Sequence, residues 1–421
     1  MEQLLVLIIF LVSYFLFVVL HRFKHLVACA GCILLALFRL TTVGRMTGYI
    51  NWNIIGVFVG TLIVADLFMR SGAPGFLAGM LVAKIRNATF SILALCFISG
   101  VLSIALENVA VVLIVAPVAF ALAEKLDIRP VTLLIAIAVS SNLQGTATLI
   151  GDPPSMLLAA YARLNFNDFF FLAGRPSIFF AIQLAAAGSL IVLYFVFRRY
   201  SRAVEVGFQT KVTSWMPTFF LCALIAGLIG ASVIDPDFRF LAGTVCLFCA
   251  AVSIAWSFFG RQTSLSGTVR GFDWQSTLFL MGVFILVGSL VEAGWMDELS
   301  NVLERMLGGN IFLTFSMLVI FSVLISAFVD NVPYLAAMLP VARNLATDLG
   351  SSEMLFMFAL LIGACLGGNI TPVGASANIV AYGQLRQKGY EVRFCDFVKI
   401  GLPFTLVAVT LASLFVWFIW G

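Results

Sequence analysis

Charge is what this 421-residue chain has least of. Lys and Arg number 24, Asp and Glu 20, and together they make up 10% of the residues, where a soluble domain carries about 25%. Such a chain cannot dress a surface for water, so soluble enzymes and disordered segments are excluded. A net charge of +4 spread over this length is no basic patch, which excludes a nucleic-acid binder. Histidine is almost missing: His21 and His25 share one short loop, leaving no basis for a histidine-based catalytic or metal centre. Eight cysteines supply no disulfide framework, because all except Cys395 lie in apolar stretches. Cys29/Cys32 and Cys246/Cys249 have CxxC spacing without polar neighbours and read as small packing residues. No basic segment precedes the first apolar run, so that run reads as a retained helix and not a cleaved signal. Residues 26–29 mimic a lipoprotein cleavage box, but the basic loop before them removes that reading.

What remains is 62% hydrophobic with mean hydropathy +1.10. The apolar stretches run about 15–20 residues without alternation, which suits membrane-spanning helices and not the roughly 10-residue strands of a barrel. The fold class is therefore an all-α polytopic membrane protein. It contains a repeat. Trp52, Gly60 and Gly72 match Trp274, Gly282 and Gly294 at an offset of 222; Glu107-Asn108-Val109, Pro117, Gly145, Thr148 and Gly151 match Asp330-Asn331-Val332, Pro340, Gly368, Thr371 and Gly374 at 223. Gly174 and Pro176 match Gly401 and Pro403. Each half carries five crossings (in the first, 3–20, 26–40, 51–70, 130–161 and 176–198) plus one paired segment that returns to its starting side. An odd count inverts the second half relative to the first, as in many secondary transporters. Of the 24 Lys and Arg residues, 17 fall on the side reached after the first helix, among them Arg202, Arg261 and Arg270. The other seven, Arg39, Arg45, Arg163, Arg175, Arg239, Arg305 and Arg343, fall on the opposite side. The positive-inside rule makes the first side cytoplasmic, with both termini outside an inner membrane. Stretches 74–86 and 295–308 read as helices lying in the interface plane.

Two matched features carry the chemistry. Segments 88–106 and 108–123 meet at Glu107-Asn108, and 311–329 and 332–348 meet at Asp330-Asn331. Surface turns gather Gly, Pro and Ser, whereas these tips are apolar up to the acid on both sides. The re-entrant reading, in which each tip stops inside the membrane, buries an acid and an amide, and a buried acid marks an ion or substrate path. The second feature is the pair SNLQGTATLIGDPPSML (141–157) and ACLGGNITPVGASANIV (364–380), in which Gly and Pro break an apolar stretch of about 30 residues. Each reads as two half-helices joined by an unwound link, whose hydroxyls and carbonyls coordinate cations and whose helix N-termini attract anions. The candidate coupling-ion and substrate residues are Glu107, Asn108, Asn142, Gly145, Thr146, Thr148, Asp152, Asp330, Asn331, Gly368, Asn369, Thr371, Ser376 and Asn378. Asn108, Thr148, Asn331 and Thr371 are the candidates for a sodium site, and no other cofactor is expected. Asp66, Glu292 and Arg343 read as interfacial.

These residues leave a cation-coupled transporter and a sodium–proton antiporter open, since both use the same acids. A channel is disfavoured by the inverted repeat. Asp152 in LIGD approaches the Gly-x-Gly-Asp of intramembrane aspartyl proteases, but Leu149 stands where the first glycine is required.

ENVAVVLIVAPVAFALAEKLDI with SNLQGTATLIGDPPSMLL, then SAFVDNVPYLAAMLPVARNL with GACLGGNITPVGASANIVAYG, resemble the ion transporter superfamily. Within it they resemble the arsenite-permease, P-protein and citrate-transporter-like group, over nearly the whole chain. The resemblance implies an elevator transporter, usually a homodimer, with a scaffold of residues 1–86 and 215–308 and a moving transport domain of 87–200 and 309–421. Residues 201–214 would be the cytoplasmic linker. Arsenite or antimonite efflux is among the activities it implies. In relatives that carry dicarboxylates with sodium, the tips hold Ser-Asn-Thr. Glu107-Asn108-Val109 and Asp330-Asn331-Val332 depart from that pattern, and two acids repel a dianion unless protons or cations neutralise them.

Overall fold

The computed structural model describes residues 2–200, 211–260 and 272–421. The unit is nearly all helical, and its helix order repeats. The first half runs α1 (Glu2–Val19), α2 (Lys24–Leu37), α3 (Val43–Tyr49), α4 (Trp52–Arg70), α5 (Ala73–Ala83), α6 (Ala88–Ser103), α7 (Asn108–Leu126), α8 (Val131–Gly145), α9 (Pro153–Ala162) and α10 (Ile178–Phe197). The second runs α11 (Met216–Ile234), α12 (Leu241–Phe259), α13 (Trp274–Glu292), α14 (Trp295–Leu307), α15 (Ile311–Ser326), α16 (Asn331–Asp348), α17 (Glu353–Gly367), α18 (Ser376–Gln387) and α19 (Phe394–Trp420). Among the described residues, nine helices are long and apolar enough to cross a membrane. Arg202, Arg261, Arg270 and most of the expected linker lie outside the described residues.

The same local chemistry starts matched helices. Asn51 accepts the Ile54 N–H before α4, and Asp273 accepts the Ser276 N–H before α13. Asn87 and Asn310 do the same before α6 and α15. Each carbonyl or carboxylate oxygen satisfies an N–H that the first turn leaves without an intrahelical partner. Gly72 and Gly294 turn the chain with φ of +76° and +80°, a conformation that costs a residue with a Cβ.

Packing between the halves is reciprocal. α4 lies against α12, and α13 against α2. α7 lies against α18, and α16 against α9. The first two contacts are glycine-tight: a Cβ on Gly60 would strike the Cys246 backbone, and one on Gly282 would lie 2.6 Å from the Ala28 Cβ. Exchange of equivalent partners is what a pseudo-two-fold relation requires. The apolar exterior fits lipid, with Phe15, Ile33, Phe219, Phe312 and Phe418 exposed on α1, α2, α11, α15 and α19.

Three details differ from the sequence reading. α14 is amphipathic, carrying Asp297, Glu298, Glu304 and Arg305, but α5 is not: Lys84 and Arg86 fall beyond its end, and Ala73, Ala78 and Val82 are fully buried. α19 begins at Phe394, before the expected 399, and continues through Pro403. The short α3 and a two-stranded ribbon, β1 (Phe171–Leu172) and β2 (Arg175–Pro176), were not expected. Between α11 and α12, Asp235 accepts backbone N–H groups from Leu241, Phe240 and Arg239 at 2.9–3.0 Å. These bonds, Leu241 first, hold its carboxyl below the ordinary aspartate value, because they favour the charged form.

Candidate functional site

Both halves build the same interlock between a hairpin tip and a broken helix. The α6–α7 hairpin turns at Leu106-Glu107, and the α15–α16 hairpin at Val329-Asp330. Beside the first tip, the Thr148 hydroxyl donates to the Ile104 carbonyl; beside the second, Thr371 donates to the Ala327 carbonyl. Thr148 and Thr371 lie in the unwound links 146–152 and 368–375, the second of which opens with a 3-10 turn at Gly368–Ile370. Glycine is required where each link crosses itself. A Cβ on Gly151 would collide with the Gly145 carbonyl and lie 2.8 Å from that of Ser103. On Gly374 it would lie 2.6 Å from the Gly368 carbonyl and 2.8 Å from that of Ser326. Gly145 and Gly368 thus hold backbone against backbone at the centre of each half.

A buried chain of amides joins the halves. Asn108 Nδ2 donates to Asn142 Oδ1 at 2.8 Å. Asn142 Nδ2 donates to Asn369 Oδ1 at 3.0 Å and to the Cys365 carbonyl at 2.9 Å. Asn369 Nδ2 donates to the Val139 carbonyl at 3.4 Å. The repeat mates of Asn108, Asn142 and Asn369 are Asn331, Cys365 and Thr146, so the chain exists in one half-site only and breaks the two-fold likeness. Asn378 secures the second link by donating to the carbonyls of Gly368 and Thr371, both at 2.9 Å. Its mate Ser155 donates to the Thr146 carbonyl at 3.3 Å.

In front of this network lies a cavity of about 340 Å³. Glu107, Asn108, Asn142, Asp152, Asp330, Asn331 and Ser376 line it. Gly145, Thr146, Thr148, Gly368, Asn369, Thr371 and Asn378 are not among its lining residues. Asp152 is the N-cap residue of α9, with no side-chain bond to the first turn. Its Oδ2 atom and the Oδ1 atom of Asn378 are buried with no hydrogen-bond donor among the described residues. Buried acceptors normally have partners, and acceptors without donors are what a cation satisfies.

The sequence reading missed the other wall. Arg22 just before α2, Lys24 and His25 at its start, Asp273 at the cap of α13 and Phe279 within it close the cavity. Lys24 Nζ lies 3.0 Å from Asp330 Oδ2 and 4.4 Å from the centroid of the Phe279 ring. In the sequence Lys24 is one loop charge among many, and nothing local marks a partner 306 positions away.

A second cavity of about 750 Å³ lies along the same seam. On α13, Gln275, Ser276, Phe279 and Leu280 face the first cavity, while Phe284, Val287, Gly288, Val291 and Glu292 face the second. On α16, Asn331 and Val332 face the first, and Ala336, Leu339 and Pro340 the second. Glu292 is held there by Arg45 and the Tyr49 hydroxyl, and Arg343 by Glu353 at 3.2 Å. Asp66 pairs with Arg70 at 2.9 Å.

The model of the citrate transporter family matches residues 6–363, and again 242–421. An uncharacterised transporter of Mycobacterium tuberculosis is 31% identical over 385 residues, covering 87% of this chain and 86% of that protein. The human P protein is 25% identical over 94% of this chain and 57% of its own length. Among solved structures, the YdaH transporter of Alcanivorax borkumensis superposes with a TM-score of 0.64 at 14% identity, over 91% of this chain and 87% of that one. MtrF of Neisseria gonorrhoeae does so with a TM-score of 0.56 at 16% identity, over 93% and 85%.

Proposed function

We propose, from the premise that this chain belongs to the citrate transporter (CitMHS) family, that it is a proton- or sodium-coupled secondary transporter of a small anion or oxyanion-like solute. Membership of the family makes it a membrane transporter; the coupling and the cargo are the step beyond. That step rests on one observation above all: Glu107 and Asp330, equivalent tips of two matched hairpins, face one cavity bounded by two broken helices. Glu107, Asp152, Asp273 and Asp330 outnumber Arg22 and Lys24 in the lining, so an anion enters with cations that neutralise the excess. The orphaned Oδ2 of Asp152 supplies a further cation ligand, beside the Asn108, Asn142 and Asn331 side chains of the same lining. Citrate, from the family's name, is the first solute to test, and arsenite the second.

In this reading residues 1–86 and 215–308 form the scaffold, and 87–200 with 309–421 form the moving domain of an elevator in a homodimer. The odd crossing count and the reciprocal packing support inverted halves, and the arginine and lysine distribution supports extracytoplasmic termini in the inner membrane. The arms α6 and α15 are 16 residues each, about 24 Å by helix rise and short of a roughly 30 Å hydrocarbon core, while the returning arms α7 and α16 are 19 and 18 residues; the two short arms support tips that stop inside the membrane. Glu107→Gln and Asp330→Asn are expected to abolish coupled uptake in proteoliposomes. Wild-type uptake in both variants would overturn the assignment. A pH jump with sodium and no solute separates the antiporter: proton movement driven by sodium alone would select it.

A further inference from the structure

The wall missed by sequence reading carries one more step. Lys24 stands at the start of α2, which packs on α13. Asp330 caps α16 at a hairpin tip, where its Oδ1 atom accepts the Val332 N–H at 3.1 Å. The ion pair therefore ties the α2–α13 wall to the tip across the cavity. It is largely withdrawn from solvent, with side-chain exposures of 22% for Lys24 and 16% for Asp330. The Phe279 face, 4.4 Å from the ammonium, holds it in place through the ring quadrupole. The same acid that is proposed to bind the coupling ion is thus already bound to a tethered cation.

We propose that Lys24 is a built-in competitor for the sodium ion at Asp330: sodium binding displaces the ammonium, and displacement removes the ion-pair tie between the wall and the hairpin tip. Resting on the coupled-transport reading, this names the group that sodium must replace. The logic is a simple exchange. Lys24 in one state and sodium in the other supply a positive charge to Asp330, so the exchange does not bare a carboxylate in a poorly solvated place. In the Lys24-bound state the ion pair adds a tie between tip and wall beyond the packing of α13 on α16; in the sodium-bound state that tie is gone, and motion of the tip relative to the wall follows ion occupancy. A ligand shifts such an equilibrium only by its differential affinity for the two states, and the competition between Lys24 and sodium is that difference.

The test is the sodium concentration that half-saturates thermal stabilisation of the purified full-length protein at fixed pH, with choline replacing sodium to keep ionic strength constant. Lys24→Gln removes the competitor and is expected to lower the half-saturating sodium concentration about tenfold. Phe279→Leu removes the ring that holds the ammonium and should shift it the same way by less, which keeps the idea testable should Lys24→Gln fail to fold. An unchanged or raised value in both variants overturns the proposal, as does the absence of any sodium response in wild type and variants. Weaker stabilisation by citrate with no sodium shift would also overturn it, by making Lys24 a ligand of the anion. Failure of the transport reading looks different: uptake would survive Glu107→Gln and Asp330→Asn whatever sodium does at Lys24.

Discussion

At the scale of residues, the site rests on polar groups whose partners lie far along the chain. Asn142 serves Asn108, Asn369 and the Cys365 carbonyl at once. Truncating it leaves several buried groups without partners, each costing about 1–3 kcal/mol. Asn142→Ala is therefore expected to destabilise the protein by about 3 kcal/mol, read as a lower thermal midpoint in detergent, and an unchanged midpoint would show that the amides repair themselves. Asp235 gives a pH counterpart away from the membrane. Its folded pKa is depressed, chiefly by the Leu241 N–H, so its contribution is present above the ordinary aspartate value and fades as pH falls through the depressed one. Asp235→Asn should lose stability at neutral pH and show a shallower further decline in acid than wild type. Of these residues the sequence marked Asn142, because it sits in a broken apolar stretch. It could not mark Lys24, whose meaning comes wholly from Asp330 and Phe279 across the cavity.

At the scale of elements, the two breaks were legible because glycine and proline interrupt a helix at a cost that an apolar stretch does not otherwise incur, and their duplication made chance implausible. The reason for each glycine was not legible, since it depends on which backbone crosses which. Gly151→Ala and Gly374→Ala would drive a Cβ into the carbonyls of Gly145 and Gly368, and backbone at a crossing has nowhere to retreat. Both are expected to abolish folding or cost more than about 3 kcal/mol, seen as loss of monodisperse protein. Gly230→Ala, where nothing lies within 4 Å of the new methyl in α11, should instead be neutral or gain up to about 1 kcal/mol. α5 shows the limit of reading charge spacing: Lys84 and Arg86 suggested an interfacial helix, but they follow the helix end, and the small residues before them are packed inside.

At the scale of the molecule, the two cavities along one seam make a directional prediction. The first cavity is ringed by Arg22, Lys24, His25 and Asp273, on the side proposed to be cytoplasmic; the second is ringed by Asn51, Arg239 and Glu292, with Glu292 at the other end of α13. On α13 a single turn, from Leu280 to Phe284, separates residues facing one cavity from those facing the other. An alternating-access protein needs only to move α16 and its hairpin past that turn to transfer the acids from one cavity toward the other. In a background without the exposed Cys222 and Cys395, Gln275→Cys should react with a membrane-impermeant maleimide from the cytoplasmic face and Val291→Cys from the opposite face. Ser376→Cys, at the start of the broken-helix segment α18 on the first cavity, should react from the cytoplasmic face in the absence of sodium and citrate and lose reactivity when both are present. Labelling of Gln275→Cys and Val291→Cys from the same face would refute the seam as a transport path, and a Ser376→Cys signal indifferent to ligand would refute motion of the α18 side of the cavity along it.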